Sequence, residues 1–229
     1  MGCTCVSVGN IYEAEINGYW KSLPIRKMSP SIYLENFETF HISQIKDKKR
    51  DEFITLFFNQ GKNNTITKNL FFTKFTQLNN SKNKEEFNYF LLSLFFLTKK
   101  EKNPKEIFIR YDKLLTNKIN SKTLGDVEHQ YVNKEVFVEI LGNYVNLISA
   151  NSAYLNGLVD DKQDFVNEVE RIYKKENQEQ FVKHLLQNYD KEVELDEFFL
   201  NEYTIISDDS KVREELYRIE FDRENKKVI

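Results

Sequence analysis

Oxygen-bearing side chains at matched spacing in two separate stretches are where this chain could do chemistry. In the later stretch Asp112 is followed five and seven residues on by Asn117 and Ile119. In the earlier one Asn59 is followed by Asn63, and again five and seven residues on by Asn64 and Ile66. A loop of about twelve residues that opens on an acidic or amide side chain, turns sharply at its sixth position and carries an aliphatic at its eighth can wrap a hard divalent cation in oxygens. Glycine usually makes that sharp turn, and asparagine is the other residue that best tolerates a left-handed backbone. A third candidate is YDKEVELDEFF, Tyr189 to Phe199, in which Val193 takes the place of the aliphatic and Glu197 that of the closing acid.

The donor sets are too thin for the chemistry. Calcium takes about six to eight oxygens, including a bidentate Glu at the twelfth position. The earlier loop offers Asn59, Gly61, Asn63, Thr67 and Leu70, without a carboxylate. The later one offers Asp112, Leu114, Thr116, Asn120 and Thr123, with one. In the third, Glu197 stands seven residues after Asp190, where a complete loop needs about eleven. The expectation is loops that keep their shape and bind no metal, with no calcium or other dissociable cofactor.

The elements that position these loops follow from apolar spacing. Phe87, Phe90, Leu91, Leu94, Phe95 and Leu97 recur at helical intervals, Lys99 to Asn103 break the run, and Pro104 opens a second helix carrying Ile107, Phe108 and Tyr111. DEFITLFF, Asp51 to Phe58, plays the same part ahead of the earlier loop. Lys134 to Ser149 is amphipathic through Val136, Phe137, Ile140, Leu141, Tyr144, Leu147 and Ile148. Further helices are predicted over 164–174 and 179–187, a β-like run over Tyr203 to Ile206, and a charged helix over Asp208 to Val228. Ser29 and Pro30 read as the N-cap and first position of a helix with Ile32, Tyr33, Phe37 and Phe40 on one face.

On the pattern FxxFLLxL followed by IFIRYDK and the paired loops, the chain resembles the EF-hand superfamily, most closely its calcineurin-B and neuronal-calcium-sensor branch. It is similar, more loosely, to the myristoylated EF-hand-like region that precedes TLDc domains. The resemblance implies an all-α fold: paired helix-loop-helix units with eroded loops and a C-terminal helix. It also implies a non-enzymatic adaptor or regulatory subunit that lays a partner's amphipathic helix in an apolar groove. Alternatives are a structural subunit of a large cytoskeletal, ciliary or membrane-complex assembly, a calcium sensor, and a phosphatase or kinase regulatory subunit. Only Met1 and Met28 supply methionine, so a groove paved with Phe, Leu and Ile suits one fixed partner.

Both cysteines lie in the opening Met-Gly-Cys-Thr-Cys, so the body offers no disulfide, zinc site or thiol nucleophile. Removal of Met1 would expose Gly2 for myristate, with Cys3 and Cys5 as palmitoylation sites, although Val6 stands where Ser or Thr is usual. Two acyl chains anchor stably where one does so marginally. Downstream, Lys21, Arg26 and Lys27 are candidate contacts to an anionic leaflet at about 1 kcal/mol each. The expected location is the cytoplasmic face of a plasma, ciliary or endolysosomal membrane, or a large assembly there. No run of about 18 apolar residues is present.

The expected organisation is a leader over 1–29, a helical domain over 30–206, with possible lobes at 30–125 and 126–206, and a charged helix over 207–229. With 36 acidic against 33 basic residues the net charge is −3, which argues against a dedicated nucleic-acid binder. His41, His129 and His184 are each expected on or beside a helix without a catalytic neighbour, and no phosphate-binding glycine loop or hydrolase motif occurs.

Overall fold

The apolar spacing around Phe90 and Phe108 produces the helices expected of it, and their packing generates the rest of the fold. A computed structural model describes residues 18, 21–33, 35, 84–100, 102–156 and 171–227. The acylation candidates Gly2, Cys3 and Cys5, the earlier loop with Asn59, Asn63, Asn64 and Ile66, His41 and most of the helix expected over 164–174 lie outside the described residues. In chain order the elements are α1 (Pro24–Lys27), α2 (Lys84–Ser93) running into a 3₁₀ turn (Leu94–Leu97), and α3 (Pro104–Leu115). Next come strands β1 (Asn120–Leu124) and β2 (Val127–Asn133), then α4 (Lys134–Asn156) and α5 (Lys175–Leu185). Strand β3 (Glu192–Glu194), α6 (Leu195–Asn201), α7 (Tyr203–Ile206) and α8 (Asp209–Lys227) complete the chain.

The all-α expectation is corrected by the three strands, which form one antiparallel sheet in the order β1-β2-β3. The cause is a two-residue turn, Gly125-Asp126, between runs of strand-compatible residues; Gly125 takes φ 65°, open to glycine without a Cβ penalty. Leu124 therefore pairs with Val127 and Asn120 with Tyr131, and the stretch read as the end of a loop is a hairpin. Tyr203 to Ile206, expected as β-like, is the short helix α7. Its side chains face the core in a helical pattern, with Tyr203 and Ile206 buried and Thr204 exposed.

Aromatic rings link the elements. Phe108 of α3 meets Phe95 at 5.3 Å and Phe96 at 5.5 Å, and reaches Phe137 of α4 at 5.9 Å. Phe137 stands edge-on to Phe198 of α6 at 4.6 Å, and Phe96 touches Tyr144 at 5.6 Å. Such edge-to-face and tilted pairs add about 0.5–1.5 kcal/mol each beyond area burial.

Residues 23–33 and helix α8 both pack onto this web. Leu23, Ile25 and Tyr33 are buried, with Tyr33 donating to the Leu91 carbonyl at 3.0 Å and Tyr111 donating to the Pro30 carbonyl. The Ser29 cap is present, since the Ile32 N–H reaches Ser29 Oγ at 3.3 Å. At the other end α8 buries Val212, Leu216 and Ile219, so this charged helix packs on its own domain. It also buries charge: Arg213 is fully buried, its Nη1 2.7 Å from Asp209 Oδ2, while Arg26 Nη2 lies 2.5 Å from Asp209 Oδ1.

Asp209→Asn removes the carboxylate that both guanidiniums share and is expected to destabilise the chain by about 3–5 kcal/mol in urea denaturation. Burial pushes the Glu220 carboxyl up, but hydrogen bonds from Lys174 and Asn177 outweigh it and hold the group below its ordinary value. A carboxyl lowered on folding contributes stability above its unfolded pKa and loses it as pH falls through the folded one. Glu220→Gln is therefore expected to flatten the acid limb of a stability-versus-pH curve, read by thermal melts across the carboxylate range.

Candidate functional site

Asp112 stands in the last turn of α3, and its carboxylate is closed on its own loop. Only 2% exposed, it accepts from the Ile119 N–H at 2.9 Å, the Lys118 N–H at 3.2 Å and the Thr116 hydroxyl. Its carbonyl takes the Thr116 and Asn117 N–H groups at 2.8 and 2.6 Å. Asn117 sits at φ 52°, the left-handed position that asparagine tolerates. Three protein donors thus occupy the carboxylate, and the loop is held without drawing on an ion. Asn88 ties the helix end back to α2 by donating to the Leu115 carbonyl at 2.7 Å.

Ile119 ends the turn just ahead of β1, half-buried, and the residue paired across the sheet is Val132 of β2, directly opposite Val193 of β3. Both are buried, at 1% and 0% exposure. The hairpin displaces the register: it adds β1 and most of β2 before the aliphatic that meets β3. Asn133 then caps α4, accepting from the Glu135 and Val136 N–H groups at 2.9 and 3.3 Å. Val193 holds its expected place, while Asp190 and Glu197 are exposed on either side of β3 and α6's start. Two helix–strand–helix units, α3-β2-α4 and α5-β3-α6, are thus joined through β2 and β3.

A cluster invisible to sequence spacing forms on the flank of this ladder. His129 of β2, Glu194 of β3 and Asp196 of α6 bring one potential ligand atom each within 4.8 Å of the others. His129 Nδ1 and Glu194 Oε1 are 2.6 Å apart. Lys105 of α3 completes the group, its Nζ 2.5 Å from Asp196 Oδ1 and 3.2 Å from Gln130 Oε1. The Lys105 ammonium pairs with one member of the trio, Asp196, and with Gln130 beside it, so the arrangement ties α3 to the sheet as a polar clasp. Against expectation, His129 lies in a strand; His184 lies in α5, exposed.

Two buried phenols are equally settled. Burial pushes the phenols of Tyr33 and Tyr144 far up, and each donates to a backbone carbonyl, Leu91 and Ile206 respectively. Such groups are neutral donors that hold elements together and do not transfer protons near neutral pH. Arg26 is turned inward as well: besides Asp209 it reaches the Leu97 carbonyl at 3.3 Å, so it is not the leaflet contact expected of it.

Comparison of the chain with protein-family models, with curated proteins and with solved structures finds no match. Among the described residues no helix is long and apolar enough to cross a membrane.

Asp112→Ala leaves the Ile119 and Lys118 N–H groups without their acceptor. A loss of about 1–3 kcal/mol is expected in thermal or urea unfolding. Added calcium should leave the melting temperature of the parent chain unchanged; a rise with saturating calcium would show that the loop can exchange its internal donors for an ion.

Proposed function

We propose that this chain is a non-enzymatic, membrane-tethered adaptor or regulatory subunit. Myristate on Gly2 and palmitate on Cys3 and Cys5 hold it at the cytoplasmic face of a membrane, and its helical body presents a surface to the amphipathic helix of a protein partner. The resemblance to eroded EF-hand loops belongs to this proposal, supported by Asp112 at a helix end and by Val132 facing Val193 across the ladder.

The observation that carries the reading is the attachment of residues 23–28, downstream of the acylation candidates. Leu23 and Ile25 are buried, the Lys99 N–H donates to the Met28 carbonyl at 2.9 Å, and Arg26 is fixed by Asp209. A leader joined to so firmly seated a segment acts as a tether on a body, so lipid on Gly2 would fix the whole domain near a bilayer. Apolar side chains left in water support the partner half. Leu124 and Val127, paired at the hairpin tip, are 58% and 57% exposed. Asp112, fully engaged by its own loop, supports an adaptor that does not wait for calcium.

The test is an intact-mass spectrum of the protein from its native cell, before and after hydroxylamine. Loss of Met1 with gain of myristate, plus a further mass that hydroxylamine removes, is the expected result. An unmodified N-terminus would overturn the membrane half of the proposal. Calcium-dependent binding to a catalytic subunit would replace the calcium-independent adaptor with a sensor.

A further inference from the structure

We infer that one basic face of the folded body is the surface that lies against the anionic headgroups of the membrane. This face comprises Lys27, Lys99, Lys100 and Lys102. The inference rests on the tethering proposed above and names which side of the domain the tether brings down.

Two basic stretches far apart in sequence, KSLPIRK over 21–27 and KKEKNPK over 99–105, are brought side by side by the Lys99–Met28 backbone hydrogen bond. Their cations then divide into two sets. Arg26 is held by Asp209 and the Leu97 carbonyl, and Lys105 by Asp196 and Gln130. Lys21, Lys27, Lys99, Lys100 and Lys102 are exposed and take part in none of the ion pairs among the described residues, a property they share with Lys113, Lys183 and Lys191; what sets Lys27, Lys99, Lys100 and Lys102 apart is that two stretches bring them together. Lys100 and Lys102 line one open cleft of about 600 Å³ with Asn103, Glu106 and Ile107. Among the described residues Glu106 in that cleft and Asp208, which feels Lys100 and Lys211, temper the face, and Glu101 stands between Lys100 and Lys102 in sequence.

Charge and connectivity together select a lipid surface as the occupant. In a chain of net charge −3, four unpaired ammonium groups gathered at one place complement an anionic leaflet. The acylation candidate Gly2 precedes Lys21 by nineteen residues, a reach of at most roughly 65 Å. Lipid at that end would keep the domain within reach of the headgroups, where an exposed lysine is worth about fivefold in binding. The same chain that carries the anchor thus delivers the face.

The experiment uses the full chain with myristate attached chemically at Gly2, so that every variant carries the same anchor whatever the cell does. Binding is measured by sedimentation with phosphatidylcholine vesicles, with and without phosphatidylserine, at low and high salt. The parent chain is expected to gain affinity from phosphatidylserine and to lose that gain in high salt. The variant K27Q/K99Q/K100Q/K102Q should lose the gain, by up to roughly six hundredfold at low salt. The charge-matched control K113Q/K175Q/K183Q/K226Q should keep it, and urea melts of both should match the parent. Equal loss in variant and control would mean that overall charge, not this face, is read; no phosphatidylserine gain in the parent, or a gain kept by the variant, would likewise overturn the inference. The tethering proposal stands or falls separately, on the native mass spectrum.

Discussion

The carboxylate of Asp209 pairs with two guanidinium groups at once, and much of the molecule depends on that bridge. Arg213 comes from the same helix as Asp209, and Arg26 from near the other end of the chain. Charges so far from water are tolerated only when paired and hydrogen-bonded. The requirement therefore fixes where α8 and the N-terminal segment lie relative to each other and to the 3₁₀ turn, whose Leu97 carbonyl takes the remaining Arg26 contact. Hydrophobic burial of Val212, Leu216, Leu23 and Ile25 supplies the bulk attraction, and the ionic bridge gives it direction.

Within this clasp the aromatic web and the β2–β3 ladder divide the labour. Rings of α3, α4 and α6 interlock through Phe108, Phe137 and Phe198, so the two helix–strand–helix units cannot slide. The ladder sets their register by burying Val132 against Val193, because a slip by one residue would turn these side chains to water. Loop carboxylates are then free to serve structure: Asp112 gathers the turn after α3, and Asp196 receives Lys105. Polar groups at positions resembling those of cation ligands hold the backbone in shape instead.

Helices, their start and stop residues, and the left-handed Asn117 are legible in sequence because each is dictated within one or two turns of chain. Pro104 sets its helix start, Asn tolerates positive φ, and apolar residues three and four apart share a face. The hairpin is also legible in principle, as Gly125-Asp126 between strand-forming runs. It is hidden because Ile119 satisfies a loop pattern first. Tyr203 to Ile206 misleads for a related reason: four β-compatible residues carry no helical signal until Ile206 and Tyr203 have a core to face.

What the sequence determined by itself, then, is local: amphipathic faces, caps and the left-handed turn at Asn117. What only the tertiary structure decided is every pairing across long separations. Arg26 belongs to Asp209 at 183 residues' distance, Lys105 to Asp196 at 91, and His129 to Glu194 at 65. Charge alone cannot distinguish Arg26 from Lys27 in KSLPIRK; burial does, by turning one inward to a counter-ion and leaving the other in water. Coulomb attraction acts between any opposite charges, and the fold selects among them by which can be desolvated together.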